Sequence, residues 1–288
     1  MDVLHLGASE SQFTHPDDAD PRTLPQMFAD ALAPELSTYS IAAPGTHFKL
    51  YQAYLEILAR YPVRPIVVLS FPLRLGYDIW EFHPEHGHEK PLRALLRIPP
   101  HRPPSRFHTY VPLPTAADYA HHDAIQIPTV DGLKPYGDIR RQLKNPARAG
   151  LDQDQFTRLS YAFLHSYLDP LNQSYLDSIT AVGACLRDMN VPVVLYWVPI
   201  PLDRADVVLG PQARERAIKL FATMEEAWVD GYGPDADHLR IFEFLKTEEF
   251  LDADDGIEHF RESGRRKMAD QVAEAVLRQR AALASRSR

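Results

Sequence analysis

The chain has 288 residues, 45% of them hydrophobic and 24% charged, with a net charge of −8. That is enough apolar material for a sizeable core, and the acidic balance argues against a nucleic-acid-binding face, which needs clustered basic residues. A single cysteine, Cys185, excludes an internal disulfide framework and a multi-cysteine metal site, and reads as a small core residue. No stretch approaches the roughly 18 apolar residues of a membrane span, and no basic segment leads into a signal-peptide core. The chain as written reads as cytoplasmic, with an anchor ahead of Met1 left open.

In chain order, Val3–Leu6 predicts a buried strand that ends at Gly7, with Ser9 on the turn beyond it. Leu24–Leu32 predicts a short helix with Leu24, Met27, Phe28, Ala31 and Leu32 on one face. Thr38–Ala42 reads as a second strand and Thr46 to about Tyr61 as a helix. Pro65–Phe71 carries the β-branched run of a third strand. Residues 78–150 then break the pattern, rich in Pro, His and Arg. They read as an insertion folded as a cap or lid within a single 1–288 domain, with a disordered loop as the plainer alternative. Regularity returns with helices at Phe156–Tyr167 and Asn172–Met189, a strand at Val191–Val198 and a helix from Pro211 to about Val229. A short strand at Leu239–Phe242 and a helix from Ser263 to Leu283 follow, and the last residues read as a frayed tail. This alternation predicts an α/β fold with a parallel sheet and helices on both faces.

Ligand sites of such sheets lie at the carboxyl edge of the strands. Ser9 sits on the turn leaving the first strand there, and a serine hydroxyl needs a base to become a nucleophile. His259 lies between the last strand and the last helix, which brings it to the same edge. Asp255, four residues upstream, is placed to hold the imidazole, with Asp254 and Asp252 as competitors. The plainer readings are a serine at a strand–helix turn, a surface histidine, and an acidic run favouring a helix N-terminus.

Leu6-Gly7-Ala8-Ser9-Glu10-Ser11, Ala43-Pro44-Gly45-Thr46 and Asp255-Gly-Ile-Glu-His259-Phe…Ser263-Gly264 together resemble the SGNH (GDSL-like) hydrolase superfamily. The nearest likeness is to bacterial glycan O-acylation proteins of the lipoteichoic-acid D-alanylation and alginate acetyltransferase type. The resemblance implies a flavodoxin-like three-layer α/β/α fold with the insertion after the third strand. It further implies Ser9 as nucleophile, His259 as base, Asp255 as its support, and Ser9 and Gly45 N–H groups as an oxyanion hole. Three departures stand out. Ala8 replaces an aspartate, the supporting aspartate lies one residue further from the histidine with Gly256 at its usual place, and the oxyanion asparagine is missing from Ser70-Phe-Pro-Leu-Arg74. Ser70 or Arg74 is left as a possible extra donor.

The expected function is therefore serine-dependent acyl transfer, as an esterase or an O-acyltransferase acting on a glycan or specialised-metabolite ester, with no cofactor and no metal. The alternatives are a non-catalytic SGNH-like binding or assembly protein and a metal-dependent hydrolase. The latter would use His83, His86 and His88 with Glu85, or His121, His122 and Asp123. Arg93, Arg97, Arg102 and Arg106 form a basic stripe that suits an anionic substrate group or simply a solvated face.

Overall fold

The computed structural model describes residues 1–42, 46, 48–60, 62–76, 151–165, 173–234, 237–239, 245–251, 253, 256 and 258–286. The expected cap at 78–150 lies outside the described residues, and with it both histidine groups and the arginine stripe. Among the described residues, five strands form one sheet: β1 (Val3–Gly7), β2 (Thr38–Ala42), β3 (Ile66–Pro72), β4 (Val193–Val198) and β5 (Asp237–Leu239). Every pairing is parallel and the order is β2-β1-β3-β4-β5. The helices among the described residues are α1 (Leu24–Leu32), α2 (Phe48–Leu58), α3 (Gln153–His165), α4 (Gln173–Asp188), α5 (Leu202–Leu209), α6 (Gln212–Tyr232) and α7 (Glu262–Arg286).

Side-chain alternation along the strands divides the core into two layers. Leu4, Leu6, Val67, Leu69, Phe71, Val193, Leu195 and Trp197 face α2, α4 and α6. Val3, Ile66, Val68, Val194, Tyr196 and Val198 face α1 and α7. Both faces of β3 and β4 are buried, which is why those strands read as unbroken apolar runs. At the start of α1 the Thr23 N–H donates to Gln26 Oε1 at 2.8 Å and Pro25 occupies the first turn, so the helix starts where the sequence places it.

Three features differ from expectation. Leu202–Leu209 is a helix, in a segment between Val198 and Pro211 for which the sequence predicts no element. Pro201 stands at its N-cap and Gly210, with φ 91°, ends it. The fifth strand is Asp237–Leu239 rather than Leu239–Phe242, whose later residues lie outside the described set. The helix at the C-terminus continues to Arg286, so part of the expected frayed tail is helical. Among the described residues, no helix is long and apolar enough to cross a membrane.

The chain runs from β1 to β2 on one side and returns to β3 on the other side of β1. The ends of β1 and β3 thus flank the point where the connections diverge, the usual position of a ligand crevice in such sheets.

Candidate active site

Ser9 leaves β1 and Arg74 leaves β3, so the two meet across that crevice. Ser9 begins a single 3₁₀ turn, Ser9–Ser11, and is 6% exposed. The turn packs tightly. A Cβ on Gly7 would come within 2.3 Å of Ser11 Oγ, so only glycine lets the chain fold back there. Glu10 points inward and is fully buried. Its Oε1 accepts the Ala8 N–H at 2.9 Å and the Ser11 hydroxyl at 3.0 Å, holding the turn from beneath.

An Arg74 Nη2 donates to Ser9 Oγ. The same guanidinium reaches Glu258 Oε2 with Nη1 at 2.6 Å, and Glu258 is fully buried. Arg74 therefore spans from the nucleophile candidate to the residue preceding His259. Burial raises the Glu10 and Glu258 carboxyls above the ordinary glutamate range, with Arg74 opposing the rise in both.

The His259 ring stacks on Phe13, centroids 3.9 Å apart, and Phe13 N–H donates to the Ser9 carbonyl at 3.3 Å. The imidazole is thus held beside the Ser9 turn. Its Nε2 is buried without a hydrogen-bond partner among the described residues. Burial lowers its pKa to about 3, and the Arg74 charge adds to the effect. The histidine is neutral at physiological pH, and burial and the Arg74 charge both oppose its protonation in this state. Gly256 adopts φ 68°, a left-handed turn in the segment leading to His259, and Tyr161 packs against it. The Tyr161 hydroxyl donates to the Ala253 carbonyl at 2.8 Å.

The structure therefore brings Ser9, Arg74 and His259 to one place, with Arg74 rather than His259 on Ser9 Oγ. Ser70 is fully buried, its hydroxyl 3.1 Å from Tyr51 Oη and also interacting with the Glu10 carboxyl. Arg74 is the one of the two extra-donor candidates that touches Ser9. Gly45, Asp255, Asp254 and Asp252 lie outside the described residues. Glu10, Phe13 and Glu258 were not singled out by sequence. Their only signal is adjacency to Ser9 and His259, because a buried carboxylate has no periodic pattern to betray it.

Behind the turn, His5 Nδ1 lies 2.7 Å from Ser40 Oγ and Nε2 lies 3.0 Å from Tyr196 Oη. Burial lowers the His5 pKa to about 4. Between that value and about 6.5 the unfolded chain binds the proton that the folded one refuses, so stability falls as pH drops through this window. His5 alone contributes a loss of about 3 kcal/mol by pH 4. Glu10 and Glu258, with raised values, act in the opposite sense. Urea unfolding of wild type and His5→Gln at pH 7 and pH 4 cancels them by difference. The gap between the two proteins should shift in favour of the variant at pH 4, and an unchanged gap would remove His5 from this role.

Searched against protein-family models and against curated proteins, the sequence matches none.

Proposed function

We propose that the protein is a serine-dependent acyl-transfer enzyme of SGNH type, an esterase or O-acyltransferase, with Ser9 as nucleophile and His259 as base. One observation carries the reading. Ser9 Oγ accepts a hydrogen bond from Arg74 at the ligand crevice, while beside the Ser9 turn the buried Nε2 of His259 has no hydrogen-bond partner among the described residues. The strand order 2-1-3-4-5 is also that of flavodoxin-like sheets, as the SGNH resemblance implies.

In the forward step Ser9 Oγ bonds to the ester carbonyl carbon as its proton passes to His259 Nε2. The tetrahedral adduct collapses with cleavage of the C–O bond, and the alcohol departs with that proton. Water or a second alcohol, deprotonated by the same imidazole, then releases the acyl group. The Arg74 guanidinium, already on Ser9 Oγ, stabilises negative charge developing at this point and takes the place of the missing asparagine donor. Asp255 is the proposed support of His259, and the Ser9 and Gly45 N–H groups complete the oxyanion hole. Closing of Ser9 onto His259 accompanies substrate binding, since catalytic hydrogen bonds often tighten only in the complex.

A second reading, a binding protein that has kept the fold, is favoured by the Arg74–Glu258 pair, which ties up the groove beside Ser9. An alkyl fluorophosphonate followed by intact-mass and peptide mapping separates the two. A single adduct on the Ser9 peptide is expected. No adduct, under conditions that label a known serine esterase fully, overturns the enzyme reading.

A further inference from the structure

We propose that an apolar recess over the ends of β3 and β4 binds the hydrocarbon chain of the acyl group, so that the enzyme prefers medium-chain acyl esters to acetyl esters. The proposal rests on the acyl-transfer reading of Ser9. The recess measures about 540 Å³ including its open mouth. Its walls include Leu73, Tyr161, Ile200, Ala205, Ala217 and Leu220, and its polar residues are Gln212 and Arg216, both on the exposed face of α6.

Three observations connect this recess to the candidate site. Leu73 lines it while the next residue, Arg74, extends to Ser9 Oγ, so the exit of β3 forms a wall of both. Tyr161 lines it and also holds the segment leading to His259, through its hydroxyl on Ala253 and its ring on Gly256. Small side chains keep it open: Ala213 and Ala217 lie one turn apart on α6, with Ala205 on α5 also in its lining. Elsewhere the same layer is filled by Trp197, Phe221 and Trp228, so the vacancy is local to these alanines.

The chemistry of the lining selects the ligand. It is mostly apolar, which suits an alkyl chain better than an acetyl or aminoacyl group. Each methylene transferred from water into such a site favours binding by about fourfold.

Ethyl and octyl fluorophosphonates test this directly. Each loses fluoride as Ser9 Oγ bonds to phosphorus and the serine proton leaves to solvent through His259. The octyl probe should modify Ser9 at least about tenfold faster than the ethyl probe. Ala213→Trp, which fills the recess from a half-buried position, should abolish that preference while leaving the ethyl rate within about twofold. Leu209→Trp on the facing wall is the second variant should the first fail to fold. Equal rates for the two probes, or an equal loss of both in the variants, overturns the proposal. Octanoate titrated into the Ser9→Ala protein reads the recess without any reaction. Saturable NMR shifts at Ala213 and Ala217 that Ala213→Trp removes support it, and no binding overturns it even where Ser9 is labelled. Labelling by neither probe with octanoate still bound overturns the acyl-transfer reading instead.

Discussion

Ser9→Ala lowers ester turnover by at least about 10⁴-fold, and Arg74→Met lowers it by about 10²–10³-fold. The two numbers differ because the two side chains do different work in the proposed reaction. Without the Ser9 hydroxyl no acyl-enzyme forms, and only the remaining donors and binding groups act. Without Arg74 the nucleophile survives but loses a cationic donor in a site from which water is largely excluded. Arg74→Met has a second consequence, because it leaves Glu258 as a buried carboxyl without its cation, which costs about 3–5 kcal/mol of stability. Turnover is therefore measured on protein shown to be folded, with Arg74→Lys beside it. Arg74 meets Ser9 and Glu258 through different nitrogens. A lysine ammonium serves one or the other, so Arg74→Lys keeps the stability and loses most of the rate. Turnover unchanged in Ser9→Ala sinks the mechanism. Turnover unchanged in Arg74→Met with the fold intact removes the arginine from it and leaves the serine standing.

The sheet was legible in the sequence because strands buried on both faces have an unmistakable composition. Ile66-Val-Val-Leu69 and Val193-Val-Leu-Tyr-Trp-Val198 cannot be mistaken for amphipathic helices. Helix α5 was not legible, since two prolines and a short polar stretch outweigh eight residues of weak periodicity until Pro201 is seen to serve as its N-cap. In the site, Ser9 and His259 could be read from their places at strand exits. Arg74 entered only as a substitute for a missing asparagine, and the structure adds what sequence spacing could not: it lies between Ser9 and a buried glutamate. Glu10 and Glu258 look like surface charges in one dimension. Their burial becomes affordable only through the N–H of Ala8, the Ser11 hydroxyl and the Arg74 guanidinium, partners that come together when the strands pair.

Arg265→Met destabilises the fold by about 3–5 kcal/mol. Arg265 stands in the first turn of α7, where a charged residue normally faces water, yet it is fully buried. Its Nη1 donates to Asp18 Oδ2 at 2.8 Å and to the Phe260 carbonyl at 2.9 Å. Its Nη2 and Nε reach the Asp20 and Arg22 carbonyls at 2.8 and 3.0 Å. One rigid fork thus satisfies three backbone carbonyls and a carboxylate, a set that a lysine cannot cover. Removing it leaves the Asp18 carboxylate without its cation, with the His15 N–H still donating to it, and takes a donor from each of the three carbonyls, the costly half of the hydrogen-bond balance. Urea unfolding should show a lower midpoint with an unchanged slope, and a loss below about 1 kcal/mol would refute the argument. The geometry also sets a finer expectation. Asp18, Asp20 and Arg22 belong to the segment that follows the Ser9 turn, and Phe260 follows His259, so this arginine fastens the two halves of the candidate site to each other. In a double-mutant cycle, Asp18→Asn and Arg265→Met should couple by about 1–3 kcal/mol. In the Arg265 variant, hydrogen exchange should rise first at residues 9–22 and 258–262, ahead of β3 and β4, because those segments depend on the fork while the central strands are held by packing on both faces.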